Sequence, residues 1–347
     1  MAGSSSQGPG LRPERIVEFL EATYEFDSDD QTWLARVMEG ARAVTERTAA
    51  MHGAIYDASD ISAFRLRNVH TDGFSAPQLE WIAKGLSLIT PAMVARTFRT
   101  TLAGMSEPAL PEMSPMYDGM SLLGLVDTLY LNGLDPNGRG LVVGLWVQER
   151  GAPSSAQLDV YRRLAHHLAA AYRCRRRLRQ SQSDCASLDL TEGAAAILDA
   201  RRRVVHATGA ARTKLAQADL TESSKARDAT WTKRPEVTDG LRRWRPLTAA
   251  RWTLVDSFDR GGARYIVARE NCAEVRGLMA LTERERQVIA YAALEQSPKE
   301  TAYALGIADS TVRVLLSRAR TKLGAKSHAE LLDHPEVRAL RPGGSGT

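Results

Sequence analysis

The sequence has few cysteines and no apolar run long enough to cross a membrane. Its three cysteines, Cys174, Cys185 and Cys272, are far apart and unequally spaced. This spacing fits neither a disulfide framework nor a zinc site, so we expect reduced thiols. The most apolar stretches, SLLGLVDTLYLNGL and LVVGLWV, are too short or too interrupted to span a bilayer, and MAGSSSQGPG lacks the order of a signal peptide. We therefore expect a cytoplasmic protein with no membrane partner.

The motifs of common catalytic sites are also missing. There is no Walker lysine, serine nucleophile elbow or paired metal motif, and GRGLVVG leads into a predicted strand, where a phosphate loop needs a helix. His166 and His167 are neighbours on a predicted helix and therefore point about 100° apart, and no carboxylate or cysteine completes a metal set. We expect them on the solvent side of that helix. The sequence predicts no enzyme, catalytic residue, cofactor or metal.

The composition is that of a soluble globular protein. Hydrophobic residues make up 44% of the chain and charged residues 25%, and the formal net charge is +5. A length of 347 residues suits two or three domains. A small positive excess favours a polyanionic partner only where the charge is clustered, so its distribution along the chain matters more than its sum.

The first large unit is predicted to be α+β. We expect disordered ends at 1–11 and 341–347, where Gly, Ser and Pro are frequent, and we assign 336–347 to a C-terminal tail. Within a domain at 12–180, the pattern predicts helices near 31–46 and 77–100, an extended pair near 53–70, and strands near 122–131 and 141–148. The turn GLDPNGRG suits a hairpin loop between the last two strands.

A long helix is predicted at 155–180. Leu158, Tyr161, Leu164, Leu168 and Tyr172 recur on one side of it at steps of three and four residues. The helix ends in the basic stretch RCRRRLRQ, which contains residues 173–179 and which we interpret as the solvated face of a linker helix rather than a nucleic-acid contact. Strands followed by a long outgoing helix resemble a GAF-type sensor domain.

A second, smaller unit is predicted at 190–272. The stretch AAAILDARRRVVHAT reads as strand, turn and strand, and resembles the first hairpin of a PAS-type domain. Polar helical sequence follows to about residue 244. The strands ARWTLVDSF and ARYIVAREN are separated by DRGG, whose glycines tolerate the positive φ of a hairpin. We therefore predict a second α+β unit of PAS-like type.

Four capped helices are predicted in a domain at 276–335. Thr282 with Glu285, and Ser297 with Glu300, have the spacing of capping boxes, and Ser327 with Glu330 repeats it. Pro298 suits the first position of the second helix, and Gly306 suits its left-handed end. Asp309 is predicted to cap the third helix. Helices joined in this way form a helix-turn-helix unit.

The third helix has one apolar and one polar side. At 100° per residue, its apolar residues cover about a third of the circumference, the width of a core-facing stripe; they are Val312, Leu315, Leu316, Ala319 and Leu323. The short side chains Ser310, Val314, Ser317 and Thr321 lie opposite. Residues 312–326 include five basic residues and no acidic one. Short side chains that meet base edges between arginines that reach phosphates favour binding in the DNA major groove.

The segment that contains these four helices resembles the LuxR-type (GerE-like) helix-turn-helix domain. The resemblance rests on Leu281, Thr282, Arg284, Glu285, Ser297, Lys299, Glu300, Ala302, Leu305, Gly306, Ile307, Thr311, Val312, Arg313, Lys322, Leu323, Gly324, Ala329, Glu330 and Leu331. It implies that the third helix reads DNA and that the fourth often pairs two protomers on a two-fold site. The sequence departs from the family pattern at Ala308, Leu315 and Ala319.

The predicted fold is therefore multidomain, with an α+β, GAF- and PAS-like N-terminal region before an all-α four-helix domain. The expected partners are double-stranded DNA, a second copy of the chain and RNA polymerase, with an effector that the sequence does not identify. The predicted DNA contacts are Lys299, Ser310, Thr311, Arg313, Val314, Ser317, Arg318, Arg320, Thr321, Lys322 and Lys326.

Two other functions remain open at this point. The stretch LLSRARTKLG also suits a sigma-factor-like protein that binds promoters only with RNA polymerase, although the β-containing first 270 residues argue against it. Alternatively, the chain is a sensor or interaction protein whose terminal domain has lost DNA binding, which the departure at Leu315 allows. A mobility-shift assay with and without polymerase separates these possibilities.

Overall fold

The computed structural model describes residues 12–105, 114–184, 195–225, 252–258, 264–270, 278 and 281–341, with short gaps at 27, 46, 92, 95–97, 99–101, 150, 152, 215, 219 and 223. The predicted disordered N-terminus, most of the polar helical sequence before residue 244 and the DRGG turn lie outside the described residues. So do Cys185 and Cys272, whereas Cys174 is a buried thiol. None of the described helices is long and apolar enough to cross a membrane.

The first region is built on a five-stranded antiparallel sheet with strand order β2-β1-β5-β4-β3. Its strands are β1 (Thr48–Asp57), β2 (Arg65–Asp72), β3 (Ala103–Met105), β4 (Asp127–Leu134) and β5 (Arg139–Val147). Strands β4 and β5 form the predicted hairpin, with Leu134 opposite Gly140. Both strands are buried along most of their length. A sheet covered on both faces produces this near-continuous apolar pattern.

Helices cover both faces of this sheet. On one face, α1 (Pro13–Thr23), α2 (Asp30–Val44) and α5 (Ser155–Asp184) enclose a core with Leu34, Leu131, Val143 and Leu168, all fully buried. On the other face lie α3 (Ala76–Ser87) and α4 (Ser114–Leu122), where Met120 and Trp146 pack together. The chain thus places α5 on the face opposite α3 and α4.

The prediction for this region was right in outline and wrong in places. It missed α1, whose first residue is Pro13 at a favoured helix-start position, and it missed α4. Residue 122, predicted to begin a strand, ends α4 and is 88% exposed, and β4 begins only at residue 127. The continuous apolar stretch concealed this boundary, because periodicity does not distinguish a short helix from a buried strand.

The basic end of α5 corrects a second prediction, because much of it is not solvated. Arg173 and Arg175 are 5% and 2% exposed. The Arg173 Nε donates to Asp135 at 3.1 Å, and the Arg175 Nε donates to Asp30 at 2.8 Å. These carboxylates are distant in sequence, so the pairing cannot be inferred from α5 itself. These ion pairs hold α5 against the start of α2 and the end of β4.

The second region contains a four-stranded antiparallel sheet of order β7-β6-β9-β8. Its strands are β6 (Ala196–Leu198), β7 (Val204–Ala207), β8 (Trp252–Phe258) and β9 (Arg264–Glu270). Both predicted strand pairs are present. Ala196, Leu198, Leu220 and Ile266 belong to its buried core.

The C-terminal region is helical, as predicted. It comprises α6 (Glu283–Ala293), α7 (Pro298–Leu305), α8 (Asp309–Lys322), α9 (His328–Asp333) and the short α10 (Pro335–Arg338). The chain therefore has a mixed α/β N-terminal region followed by an all-helical domain. Residues 336–338, which the sequence prediction placed in the C-terminal tail, belong to α10, and Val337 is buried against Ile289 and Leu331.

Candidate nucleic-acid interface

The caps of α6 and α7 fix the start of each helix. Thr282 and Glu285 form a capping box at α6, and Ser297 and Glu300 form one at α7. Each box satisfies two backbone amides that have no partner inside the helix. Gly306 ends α7 in the left-handed conformation, with φ of 64°. These local signals set the short turn between α7 and α8, as predicted.

Two cap predictions were wrong in detail. Asp309 is the first residue of α8, and Ala308 occupies the N-cap position without a side-chain hydrogen bond. Asp309 therefore places an acidic side chain in the first turn, which the helix dipole favours. At α9, Ser327 accepts from the Glu330 amide, but the Glu330 carboxylate accepts from the Lys326 amide instead of closing a box on Ser327.

The apolar stripe of α8 anchors it on α6 and α7. Val312 is fully buried in a cluster with Val288, Tyr291 and Ala302. Ala319 is fully buried in the cluster that contains Ile289. The other members of the stripe, Leu315, Leu316 and Leu323, are half-buried and pack against these clusters. The stripe thus turns the opposite side of α8 outward.

The outer side of α8 is open to solvent. The structure brings together on it most of the predicted contact residues, and all of these are exposed: Ser310, Thr311, Arg313, Val314, Ser317, Arg318, Thr321 and Lys322. Val314, an apolar residue, is 48% exposed. Arg320 is half-buried at the edge of this side, and Lys326 is exposed beyond the end of the helix. A short polar strip flanked by guanidinium groups is therefore accessible along the helix.

Lys322 has a structural partner that the sequence did not reveal. Its Nζ lies 2.8 Å from Oε2 of Glu285, whose side chain is 3% exposed. Burial alone would raise the pKa of the Glu285 carboxyl, but hydrogen bonds from Lys322 and Thr282 outweigh it and leave the pKa lowered. The pair ties the end of α8 to the start of α6. A DNA contact by Lys322 must therefore share the ammonium group with this carboxylate.

Lys299 lies apart from the other predicted contacts. It is at the start of α7, and its Nζ is 3.3 Å from the Asp159 carboxylate on α5. Both side chains are well exposed, so the pair contributes little to stability. The structure therefore places Lys299 at the border between the helical domain and α5.

His166 and His167 correct another prediction, since they are buried, not solvated. They are 4% and 0% exposed. Burial, as the largest cause, lowers the pKa of His166 to about 4 and of His167 to about 3. Both are neutral at neutral pH. Both belong to α5, and His167 contacts Tyr24 on α1's C-terminal side and Tyr303 in the helical domain.

A second candidate site is an apolar cavity of about 130 Å³ between the sheet and α3. Its lining includes Met93, Met116 and Tyr130. Thr128 also lines it. This residue is 3% exposed, and its hydroxyl has no hydrogen-bond partner among the described residues. Buried polar atoms without a partner are uncommon, and a bound ligand or water is a usual explanation.

The wall of this cavity depends on a glycine. Gly144 lies opposite His52 in the sheet, and a Cβ at this position would come within 2.2 Å of the His52 ring. The absent side chain leaves room for the His52 ring, whose Nδ1 accepts a hydrogen bond of 2.9 Å from Trp146. Burial lowers the pKa of His52 to about 4.

Residues 279–334 match the family described as bacterial regulatory proteins, luxR family. No curated protein matches the chain. Among solved structures, a crystal structure of Escherichia coli SdiA is 12% identical with a TM-score of 0.31, and covers 94% of this chain and 97% of that one. A structure of SdiA in complex with octanoyl-rac-glycerol is 12% identical with a TM-score of 0.33, and covers 98% and 97%.

The family match falls on the segment whose caps, turn and outward-facing helix are described above. The region before it is mixed α/β. Residues 279–334 are therefore a helix-turn-helix domain of the luxR family, a family of DNA-binding transcription regulators and not of enzymes.

Proposed function

We propose that this protein is a transcription regulator that inserts α8 into the major groove of double-stranded DNA as a homodimer, under the control of its N-terminal region. The observation that carries the proposal is the accessibility of the outer side of α8. Its inner side is anchored in two apolar clusters, whereas Ser310, Val314 and Ser317 are exposed. We also propose domains at 12–180, 190–272 and 276–335.

In this arrangement some of the proposed contact residues bind base edges and the others bind phosphates. The short residues Ser310, Val314, Ser317 and Thr321 meet base edges, because short side chains on this side let the helix backbone come close to the bases. The longer or more peripheral residues contact phosphates; they are Lys299, Thr311, Arg313, Arg318, Arg320, Lys322 and Lys326. Phosphate contacts fix the register of the protein, and base contacts supply its preference.

Two protomers would read a two-fold site. In helix-turn-helix dimers the two inserted helices lie about one helical turn of DNA apart. The fourth helix of the domain, α9, is the element through which the resemblance implies pairing, and its residues His328 and Glu330 are exposed. RNA polymerase is the downstream partner that a regulator bound beside a promoter would contact.

Footprinting with the purified chain on its own upstream DNA tests this function. We expect protection by the chain alone, at two half-sites about one turn apart. Protection only with RNA polymerase would favour the sigma-like alternative, and no binding even at low salt would favour a sensor that has lost DNA binding. The sign of regulation follows from where the protected site lies relative to the promoter.

A double variant sharpens the test. Arg313→Ala with Arg318→Ala should weaken DNA binding on the order of 10- to 100-fold and reduce the slope of log K against log salt by about 2, because two phosphate contacts are lost. The matched control is Arg65→Ala with Arg67→Ala, which removes the same charge from exposed positions on β2. Equal effects of the two pairs would mean that only overall charge matters.

For sensory control we propose that the cavity beside Thr128 binds a small apolar effector with one hydrogen-bonding group. An apolar cavity of about 150 Å³ is large enough for benzene, so a cavity of about 130 Å³ takes only a compact ligand. The unpartnered Thr128 hydroxyl supplies one polar contact. The apolar walls supply the remaining binding energy.

Cyclopentane and tetrahydrofuran make a matched pair of probes for this cavity, because both are compact five-membered rings of nearly the same size. We expect the Thr128 hydroxyl to favour tetrahydrofuran over cyclopentane by roughly 5-fold, because only tetrahydrofuran has an oxygen that accepts from it. Thr128→Val keeps the shape and removes the hydroxyl, so the difference between the probes should vanish. Titration calorimetry on the whole chain measures both affinities, and an unchanged difference in the variant would exclude Thr128 as the polar contact.

A further inference from the structure

One edge of the second sheet carries a concentrated positive charge. Residues 200–218 contain five basic residues and no acidic one, which is the same number of basic residues as in the segment 312–326 of the helical domain. All but the half-buried Arg202 are exposed; the five are Arg201, Arg202, Arg203, Arg212 and Lys214. The segment comprises the turn after β6, the edge strand β7 and a short 3₁₀ helix, Gly209–Arg212. We call β6, β7 and these five residues the basic hairpin.

Asp199 fixes the turn that carries three of these arginines. Its Oδ1 accepts from the backbone amides of Arg201 and Arg203, at 2.9 Å each. Its Oδ2 pairs with the Arg203 guanidinium group at 2.7 Å. This carboxylate is therefore occupied by the turn itself, and it gives the arginines a defined position at the end of the hairpin.

Arg202 has a backbone conformation that is unusual for an arginine. Its φ is 63°, in the left-handed region, where glycine or asparagine is the usual residue. Glycine would form the same turn without strain, so the turn alone does not explain the arginine. Strain of this kind is concentrated at functional sites. What an arginine adds to this position is its guanidinium group.

Two groups of basic residues lie at opposite ends of β7. Arg201 and Arg202 belong to the turn before the strand. Arg212 follows the strand, and its Nε donates to the carbonyl of Ala207, the last residue of β7, at 3.3 Å. A strand of four residues is about 13 Å long, which is close to the width of the DNA major groove, about 12 Å. The two groups can therefore reach the phosphates on both sides of one groove.

The strand between these two groups is open to solvent. The middle residues of β7, Val205 and His206, are both exposed, and Val205 is 56% exposed. The sequence places no carboxylate between the two groups. A two-stranded β-ribbon is one of the elements that the major groove admits. The basic hairpin therefore has both the shape and the charge to lie against a duplex.

We propose that the basic hairpin is a second DNA contact, which binds phosphates of the duplex beside the half-site that α8 reads. This inference rests on the proposed function. The helix-turn-helix domain in the same chain keeps DNA at a high effective concentration near the hairpin. The strand β9 ends at Glu270 and α6 begins at Glu283, and a chain of about a dozen residues spans at most about 45 Å. The hairpin therefore stays within reach of DNA next to the half-site.

Two duplexes distinguish this contact from that of α8. The short duplex contains only the footprinted half-sites, and the extended duplex adds one helical turn of unrelated sequence on each side. We expect the whole chain to bind the extended duplex more tightly, by about 5- to 50-fold at moderate salt. The slope of log K against log salt should also be steeper by at least about 2, because more phosphates are contacted.

The variant Arg201→Ala with Arg202→Gly removes two charges and keeps the turn, because glycine adopts the φ of residue 202 without strain. We expect it to bind the short duplex like wild type and to lose most of the preference for the extended duplex. It should unfold at no lower a urea concentration, because a strained residue has been replaced. The matched control, Arg65→Ala with Arg67→Ala, removes the same charge from exposed positions on β2 and should keep the full preference.

A second variant, Arg212→Ala with Lys214→Ala, removes the basic group at the other end of β7 and should have the same effect on DNA binding. A preference that is lost in both hairpin variants and kept in the control supports the proposal.

Equal binding of the two duplexes by wild type overturns the proposal. So does a preference that survives in both hairpin variants, because the arginines then only protect the edge strand from pairing, and so does an equal loss in the control, because overall charge then explains the preference. Failure of the proposed function looks different, since neither duplex would then be bound even at low salt.

Discussion

Two helices of this chain are rich in arginine, and they use the charge in opposite ways. On α5, Arg173 and Arg175 are buried and paired with Asp135 and Asp30. On α8, Arg313 and Arg318 are exposed, and neither has a carboxylate partner among the described residues. A basic stretch therefore does not by itself indicate a nucleic-acid surface. An arginine-rich helix is available to bind nucleic acid only where the fold does not pair its guanidinium groups with carboxylates.

Burial on α5 also affects its histidines. The largest effect that we predict is therefore on the pH dependence of the free energy of unfolding. Burial lowers the pKa of His52, His166 and His167 to about 4, 4 and 3 in the folded chain, against about 6.5 when unfolded. The unfolded chain therefore binds more protons below pH 6.5, and stability falls as pH falls from there toward 4. Between pH 7.5 and 5.5 each histidine should contribute a loss of roughly 1.4 kcal/mol.

Urea unfolding at the two pH values measures this loss. His167→Gln should reduce the pH dependence by the share of one histidine. His328→Gln changes an exposed residue on α9 and serves as the control, with no expected effect. A free energy of unfolding that does not change between pH 7.5 and 5.5 would show that these three imidazoles are protonated without cost in the folded chain.

The next largest effect compares one arginine from each helix. Arg173→Ala leaves the Asp135 carboxylate, whose side chain is 1% exposed, with a single cationic partner among the described residues, the more distant Arg176 at 3.7 Å. Removing one partner of a buried ion pair is costly, so we expect a loss of about 3 kcal/mol in the free energy of unfolding. Arg313→Ala should change it by less than about 0.5 kcal/mol. If both variants lost a similar free energy of unfolding, the arginines of α5 and α8 would not differ in their contribution to stability.

Sequence reasoning succeeded where the signals were local. The caps at Thr282, Ser297 and Gly306 and the stripe through Val312 and Ala319 involve residues a few positions apart, so their spacing is enough to predict them. The same holds for the β4–β5 hairpin. The helical domain was predicted more accurately than the first region because most of its determining residues are close together in sequence.

The wrong predictions for the histidines and arginines of α5 involve partners far apart in sequence. His167 meets Tyr24 across 143 positions and Tyr303 across 136, and no pattern within α5 reveals either. One signal was available, however. From Leu164 to Tyr172 the sequence LAHHLAAAY contains no Asp, Glu, Lys or Arg, and a helix without a charged face is usually covered on more than one side. That signal favours burial of both histidines but does not name the helices that cover them.

The smallest expected effect concerns the single apolar residue exposed on the outer side of α8. All large apolar residues of α5 with described burial are at least partly covered, whereas Val314 is 48% exposed between arginines. An apolar side chain in the major groove reads the methyl group of thymine. Val314→Ala should therefore lower the preference for one thymine-containing base pair by about 1 kcal/mol, or roughly 5-fold, with the salt dependence unchanged. Competition among duplexes that differ at single positions measures this preference. A uniform loss at every sequence would instead assign Val314 to the folding of α8, and would leave base reading to Ser310, Ser317 and Thr321.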